Sequence, residues 1–367
     1  MLTILFNILI ISLLTSALAA IIVAADIFIS NYGECSIDIN NGRKKLNVKG
    51  GGSLLESLTS EKIFIPSACG GRGSCGYCKV KVIEGAGALL PTEEPYLSLE
   101  EKSDNIRLSC QIKVRNDILI EIPQKLLEIK EFECLCEEIR DLTYDIKLFR
   151  FKMLNSEKIN YIPGQYVQLL TPVYKGSSEE VYRAYSIASN PSDKSVVDLI
   201  IRLVPGGICT TYCFKYLKTG DKIKLNGPYG DFRLSDTDAP IIFIAGGSGM
   251  APILCMLYQM KNVSSRRKAV YYFGVNTEKD LFMVDEIKQF EKDLHDFKFV
   301  PVMARPENET AWQGEKGLVT EAVQKNLKNA CEYEAYLCGS PGMIDASIAV
   351  LKNLGMPETS IFYDKFA

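Results

Sequence analysis

Residues 69–78 read Cys69-Gly70-Gly71-Arg72-Gly73-Ser74-Cys75-Gly76-Tyr77-Cys78, and Cys110 follows in Leu108-Ser109-Cys110 after thirty-one intervening residues. The spacing is C-x5-C-x2-C…C, close to the C-x4-C-x2-C…C of plant-type 2Fe–2S centres, where a tight trio of thiolates is completed by a distant fourth. The four glycines between the cysteines fit that reading. A loop wrapped round a cluster brings backbone N–H groups toward sulfide, often at positive φ, which only Gly adopts without strain. A zinc knuckle or a disulfide staple are the alternatives, but zinc sites come as two close cysteine pairs and Cys110 stands alone.

The 367 residues allow two or three domains, and a net charge of −3 gives no reason to expect nucleic acid as a partner. Twelve cysteines in a chain of this size, with cluster spacing among them, argue for a reducing compartment. The other eight (Cys35, Cys134, Cys136, Cys209, Cys213, Cys255, Cys331 and Cys338) are expected to be small buried hydrophobes. The sole histidine, His295, sits in a charged stretch and reads as a solvated surface residue; a Rieske centre, which needs two, is excluded.

Residues 2–25 carry no charge and suffice to cross a bilayer, for which about 20 apolar residues are needed. A secretory leader would show a basic n-region and a shorter apolar run. The expectation is therefore an uncleaved single-pass anchor over 1–27, contacting the lipid bilayer. Arg43, Lys44 and Lys45, C-terminal to it, favour a cytoplasmic body.

Three modules follow. From 33 to 125 the order is hairpin about Asn41-Gly42, short helix over SLLESLTS, cluster loop, then strands: a ferredoxin-like β-grasp. From 131 to 237 many short strands separated by turn residues predict a small antiparallel β-barrel. From 238 to 367 strands alternate with helices, which predicts a parallel α/β sheet. The fold class is thus multidomain, α/β plus all-β.

In the barrel, Arg183-Ala184-Tyr185-Ser186 supplies a cation, a flat aromatic and a hydroxyl within four residues, the set a flavin needs. Gly206-Gly207-Ile208-Cys209-Thr210-Thr211 reads as a phosphate cradle opening a helix. Gly227-Pro228-Tyr229-Gly230 closes the barrel and by itself is equally a turn. Then Gly246-Gly247-Ser248-Gly249-Met250-Ala251-Pro252 stands between an apolar strand and an apolar helix, the context that makes a glycine loop a pyrophosphate site. Cys338-Gly339-Ser340-Pro341-Gly342-Met343 again ends a strand and enters a helix.

Taken in order, these strings resemble the ferredoxin–NADP reductase superfamily over residues 131–367. With the ferredoxin module and the apolar leader added, nearly the whole chain resembles the flavin and iron–sulfur component family of sodium-translocating NADH:quinone reductases, including Leu90–Glu93, Thr237–Ala239 and the ending Asp364-Lys365-Phe366-Ala367. The resemblance implies that FAD is held by Arg183, Tyr185 and Ser186, with Gly206, Gly207 and Thr210 at its pyrophosphate. It implies further that Gly247 and Gly249 face the NADH phosphates, that Cys338 and Gly339 lie beside the nicotinamide, and that Phe366 covers the flavin ring. Ser186, Cys338 and Phe366 are the expected catalytic set, and Cys69, Cys75, Cys78 and Cys110 the iron ligands. There are two departures: the barrel has little insertion after Arg202, and Asn276 stands where many relatives carry Arg, which disfavours a 2′-phosphate unless Lys279 or the Ser264–Arg267 run substitutes.

The implied activity is electron transfer from NADH through FAD and the 2Fe–2S cluster to a membrane partner, among other integral-membrane subunits of a bacterial inner-membrane complex. The competing readings are a reductase component of a multicomponent oxygenase and a tethered ferredoxin carrier without NADH turnover.

Overall fold

The computed structural model describes residues 2–29, 32–306 and 312–366 and divides into two compact units, Met1–Glu128 and Ile129–Ala367. The first unit begins with helix α1 (Leu2–Ile29), whose stretch Phe6–Val23 has a mean hydropathy of 2.5 and contains no buried residue. At 1.5 Å per residue its 28 residues extend about 42 Å, more than the ~30 Å of a hydrocarbon layer. Phe6, Leu9, Leu13, Leu14 and Ile21 all stand exposed, so the helix is long and apolar enough to cross a membrane.

Strands β1 (Glu34–Ile39) and β2 (Lys44–Lys49) form the expected hairpin, with Asn40 and Asn41 both at φ 55° in its turn. Helix α2 (Leu54–Ser60) starts on a capping box: Ser53 Oγ accepts from the Glu56 N–H and Glu56 accepts from the Ser53 N–H. Strand β3 (Lys79–Glu84), helix α3 (Leu99–Ser103), strands β4 (Ile106–Leu108) and β5 (Ile118–Glu121) and helix α4 (Gln124–Leu127) follow. The sheet order is β2-β1-β5-β3-β4, with β1 parallel to β5, closing over Ile37, Ile39, Leu54, Leu58 and Ile120. Beside β4, Glu93 and Arg107 form a buried ion pair at 2.6 Å; Arg107 also donates to the Gly87 and Ala88 carbonyls. This pair ties Leu90–Glu93 to the strand that leads into Cys110.

In the second unit, β6 (Lys130–Asp141), β7 (Ile146–Met153), β8 (Tyr166–Thr171), β9 (Val181–Ser186), β10 (Val196–Arg202), helix α5 (Ile208–Lys215) and β11 (Lys222–Tyr229) make an antiparallel sheet of order β10-β7-β6-β11-β8-β9. It curls shut where Ile187 bridges Leu199 and Ala188 N–H donates to the Asp198 carbonyl at 2.8 Å. Gly227–Pro228, whose string closes the barrel and by itself is equally a turn, lies within β11.

The remaining strands, β12 (Ile241–Gly246), β13 (Ala269–Val275), β14 (Phe297–Met303), β15 (Glu315–Lys316), β16 (Glu334–Gly339) and β17 (Ile361–Lys365), are all parallel in the order β15-β14-β13-β12-β16-β17. Helices α6 (Met250–Asn262), α7 (Val284–Asp293), α8 (Val319–Asn326) and α9 (Pro341–Asn353) connect them, α6 and α7 packing on the Phe243–Tyr271 face and α8 and α9 on the Ile244–Leu337 face. Arg267, Ser235 and Thr237 converge on the Glu334 carboxylate at 2.7, 2.5 and 2.8 Å and clamp the segment linking barrel to sheet.

Two expectations need correction. Cys331 is exposed, not buried: it lies in the turn before β16, where Asn329 Oδ1 accepts its N–H, and no strand carries it inward. The Ser264–Arg267 run cannot meet a coenzyme phosphate, because it precedes β13 at the amino edge of the sheet and Arg267 is bound to Glu334.

Arg107→Ala leaves the Glu93 carboxylate buried without its cation and is expected to destabilise the first unit by about 3–5 kcal/mol. A denaturant titration followed by cluster absorbance checks this; an unchanged midpoint contradicts it.

Candidate active site

The cysteine quartet is assembled from a loop and a turn. Gly70, Gly71, Gly73 and Gly76 all have φ between 65° and 86°, and Gly71 N–H donates to the Ser67 hydroxyl at 3.0 Å. A side chain at Gly76 would stand 2.9 Å from Tyr96 Cβ, so glycine is required there for closeness as well as for φ. The thiols form two pairs. Cys75 Sγ lies 3.4 Å from Cys69 Sγ, and that hydrogen bond lowers Cys69 to about 4. Cys78 does the same for Cys110, lowering it to about 7, while Gln111 Nε2 donates to Cys110 Sγ at 3.5 Å. Among the described residues no three His, Cys, Asp or Glu side chains surround a single point. In each pair one thiol, Cys69 or Cys110, ionises readily while the shared hydrogen bond holds its partner, Cys75 or Cys78, in the protonated form, and four cysteines set in two pairs suit two iron atoms.

In the second unit, β9 sets Arg183 and Tyr185 on one face, opposite Leu169 and Val167 of β8. Arg183 Nη1 donates to the Tyr182 carbonyl at 2.7 Å. The Tyr185 hydroxyl donates to Cys209 Sγ at 3.2 Å, which links β9 to α5; burial pushes the phenol well above its usual acidity range. Gly206 has φ 73°, and α5 begins after Gly207 with no side-chain cap, leaving its first N–H groups for an anion. Thr210 Oγ1 is turned back to Val204, accepting from its N–H at 3.2 Å. An uncapped helix start beside Arg183 and Tyr185 fits the FAD expected there.

The two later glycine loops meet at the carboxyl edge of the parallel sheet. β12 ends at Gly246 and its neighbour β16 at Gly339, and a Cβ on Gly339 would lie 3.3 Å from the Gly246 carbonyl oxygen. Gly249 lies on the Cys338 carbonyl, where a Cβ would approach to 2.3 Å, so no larger residue fits. A cavity of about 250 Å³ opens here, lined by Gly246, Gly247, Asn276, Asp280, Gly317 and Met343 among others. The barrel supplies one wall: Arg202, paired with Asp145 at 2.7 Å, comes within 3.6 Å of the Cβ position of Gly247, and the Tyr144 hydroxyl donates to Asp280 at 3.2 Å. Uncapped starts at Gly246 and Ser340 again leave N–H groups free for phosphates.

Ser186, at the end of β9, is buried near the Asp364 side chain, and Asp364 pairs with Cys338 across β17 and β16. Burial pushes Asp364 up to about 6 against the opposing pull of the Ser186 hydroxyl. Cys338 is fully enclosed, and burial drives its thiol well above the usual range, so it is neutral. Phe366 is half-buried, with its N–H on the Gly339 carbonyl at 2.9 Å. The structure therefore brings Ser186, Cys338, Gly339, Gly247 and Gly249 to one seam. Arg183, Tyr185, Gly206, Gly207 and Thr210 form the adjoining flank. Ala367, part of the terminal string, lies outside the described residues. Asp364 and Cys209 were not singled out as site residues; the only sequence signal was their position inside motif strings.

Comparison with known proteins agrees with this geometry. Residues 37–115 match the 2Fe-2S iron-sulfur cluster binding domain, 133–234 the oxidoreductase FAD-binding domain and 243–348 the oxidoreductase NAD-binding domain. The F subunit of the Na(+)-translocating NADH-quinone reductase of Marinomonas sp. (strain MWYL1) is 33% identical over 392 residues, covering 95% of each chain. That of Histophilus somni (strain 129Pt) is 34% identical over 393 residues, covering 95% of this chain and 96% of that one. Among solved structures, the Amycolatopsis cytochrome P450 reductase GcoB superposes with a TM-score of 0.71 at 26% identity, over 90% of this chain and 98% of that one. The ferredoxin reductase in carbazole 1,9a-dioxygenase gives 0.70 at 26%, over 91% and 99%. The chain is an NADH-dependent flavin and iron–sulfur oxidoreductase, and it belongs to the F-subunit family of Na(+)-translocating NADH-quinone reductases.

Proposed function

We propose that this chain is the NADH-oxidising entry component of a membrane redox complex, held by α1 in a bacterial inner membrane with its body in the cytoplasm and docked on other integral-membrane subunits. Its working modules are the anchor 1–27, the ferredoxin unit 33–125, the flavin barrel 131–237 and the nucleotide domain 238–367. The observation that carries this reading is the meeting of Ser186, Cys338 and Asp364 where two glycine loops end, in a chain that also holds two paired thiol sets.

When bound, flavin accepts two electrons together from a nicotinamide and releases them singly to a 2Fe–2S centre. The protein's part is placement and charge. Arg183 and the α5 start neutralise a pyrophosphate, and Tyr185, braced by Cys209, presents a flat face. Gly247 and Gly249 would admit a second pyrophosphate close to the sheet, where Arg202 comes within 3.6 Å of the Gly247 Cβ position. Cys338, small and uncharged, lines the seam without competing as a nucleophile. The Ser186 hydroxyl and the Asp364 carboxyl, which keeps its own proton up to about pH 6, place proton-carrying groups at the seam. Cys69, Cys75, Cys78 and Cys110 would hold the iron, and the cluster would supply one-electron transfer toward a membrane acceptor.

Rapid mixing of anaerobic protein with NADH tests this directly. The flavin band should bleach in wild type and in Cys75→Ala alike, whereas one-electron reduction of cytochrome c should fall to background in Cys75→Ala. Persistence of both activities sinks the electron route.

The proton on Asp364 has a signature in the flavin-free chain. The folded carboxyl keeps its proton up to about pH 6, while an unfolded one releases it near 3.8, so the stabilisation is complete below about pH 4 and is lost as pH rises through 6. Asp364→Asn should remove that decline from thermal melts taken between those pH values; a wild-type-like slope in the variant contradicts the assignment.

Asn276 offers no guanidinium, and Asp280 sets a carboxylate in the same cavity. NADPH should therefore be used at least tenfold less efficiently than NADH, with the gap narrowed by Asn276→Arg and by Asp280→Asn in kcat/KM. Equal efficiency with both coenzymes in wild type contradicts this.

A further inference from the structure

Two residues separate the end of α1 at Ile29 from Tyr32, which is already packed onto the ferredoxin unit. A Cβ on Gly50 would stand 2.7 Å from Tyr32 Cβ, Gly50 N–H donates to the Gly33 carbonyl at 2.8 Å, and the Cys35 thiol donates to the Tyr32 carbonyl at 3.8 Å. Chain geometry then fixes how far this face can stand from a membrane. Asp26 is the first charged residue of the sequence, about 5 Å of helix before Ile29, and three further residues span at most about 11 Å. Tyr32 thus lies within about 16 Å of the hydrocarbon edge. The headgroup layer is about 5–8 Å deep and its surface field decays over about 8 Å, so both reach this face.

That face is basic. Lys113 Nζ lies 5.5 Å and the Arg115 guanidinium carbon 6.0 Å from the Tyr32 ring centroid, within cation–π range. Lys49 adjoins Gly50 at the same end of β2, and all three cations are exposed. The nearby carboxylates are Glu34, which is exposed opposite Lys49, Asp117, which is turned back to accept the Ser36 N–H at 2.7 Å, and Glu56, which accepts at 2.9 Å from the N–H of Ser53, the bridge partner of Lys113. By contrast, Arg43, Lys44 and Lys45, which follow the anchor more closely in sequence than Lys113 and Arg115, stand at the far end of the hairpin. The register runs from Glu34↔Lys49 to Ile39↔Lys44, five strand steps or about 17 Å.

We propose that Tyr32, Lys49, Lys113 and Arg115 form a headgroup-binding collar that seats the ferredoxin unit on an anionic leaflet in one orientation. The ligands are lipid phosphate oxygens, which accept from ammonium and guanidinium groups, while the tyrosine ring sits at the depth where aromatic belts form. Each basic residue near such a surface strengthens attachment about fivefold. The proposal rests on α1 spanning the bilayer.

The test uses the full chain in phosphatidylcholine vesicles with and without phosphatidylglycerol, read by hydrogen exchange of backbone amides 49–53 and 111–116. Exchange there should slow about tenfold with the anionic lipid and recover at high salt. Lys49→Gln/Lys113→Gln/Arg115→Gln should abolish the slowing. Arg43→Gln/Lys44→Gln/Lys45→Gln, an equal charge change at the other end, should leave it intact, and inorganic phosphate over phosphatidylcholine should not reproduce it. Equal exchange in both lipids, equal loss in both triple variants, or equal protection by inorganic phosphate overturns the collar, the first result assigning the face to a protein partner. Vesicle flotation separates the two levels: a chain that does not float with lipid overturns the reading of α1 and the collar together, whereas one that floats without the slowing overturns the collar alone.

Discussion

Ser186 and Asp364 come together where two independently built layers touch, and the catalytic reading depends on that approach. Ser186 comes from the last position of a barrel strand, and Asp364 from a strand that exists only because it pairs with β16. For the two to meet, the barrel must be held against the carboxyl edge of the parallel sheet. The Glu334 clamp holds the linking segment at the opposite edge, where Arg267 and two hydroxyls converge on a mostly buried carboxylate. Such a group is costly to leave unpaired, so the segment between barrel and sheet is pinned. Arg202–Asp145 and Tyr144–Asp280 then brace the working edge with weaker, more exposed contacts.

The ferredoxin unit solves a different problem, that of gathering four thiols none of which is carried by a helix or strand. Glycines at positive φ let the loop fold back on itself, and the buried Glu93–Arg107 pair fixes the segment opposite. The outcome is two thiol pairs, each poised to lose a proton easily, as metal binding needs deprotonated sulfur. In both units the chemistry sits where glycine backbone is approached too closely for a side chain, by Gln111 and Tyr96 in the cluster loop and by backbone at Gly249.

Much of this was legible in the sequence because it is local. The C-x5-C-x2-C spacing, Arg183–Ser186 and the loop at 246–252 each compress their chemistry into a few residues whose types are diagnostic. What was not legible is set by pairing across long intervals. Asp364 becomes a site residue only through β16–β17 register, and Cys209 only because α5 swings its thiol under Tyr185. Arg267 looked available for a phosphate until sheet direction put it at the wrong edge. Lys113 and Arg115 reach Tyr32 across some eighty residues, while the basic trio that seemed to flank the anchor is carried away by its own hairpin. Composition misled once, at Cys331, where a turn overrode the burial preference of the residue type.

The central claim is that one polypeptide carries electrons from NADH through flavin to a cluster held by Cys69, Cys75, Cys78 and Cys110. Low-temperature paramagnetic resonance on the anaerobic full chain, with NADH as the sole reductant, tests it most directly. The account predicts a rhombic signal of a reduced 2Fe–2S centre approaching one spin per bound flavin. A signal that appears with dithionite but never with NADH would contradict it.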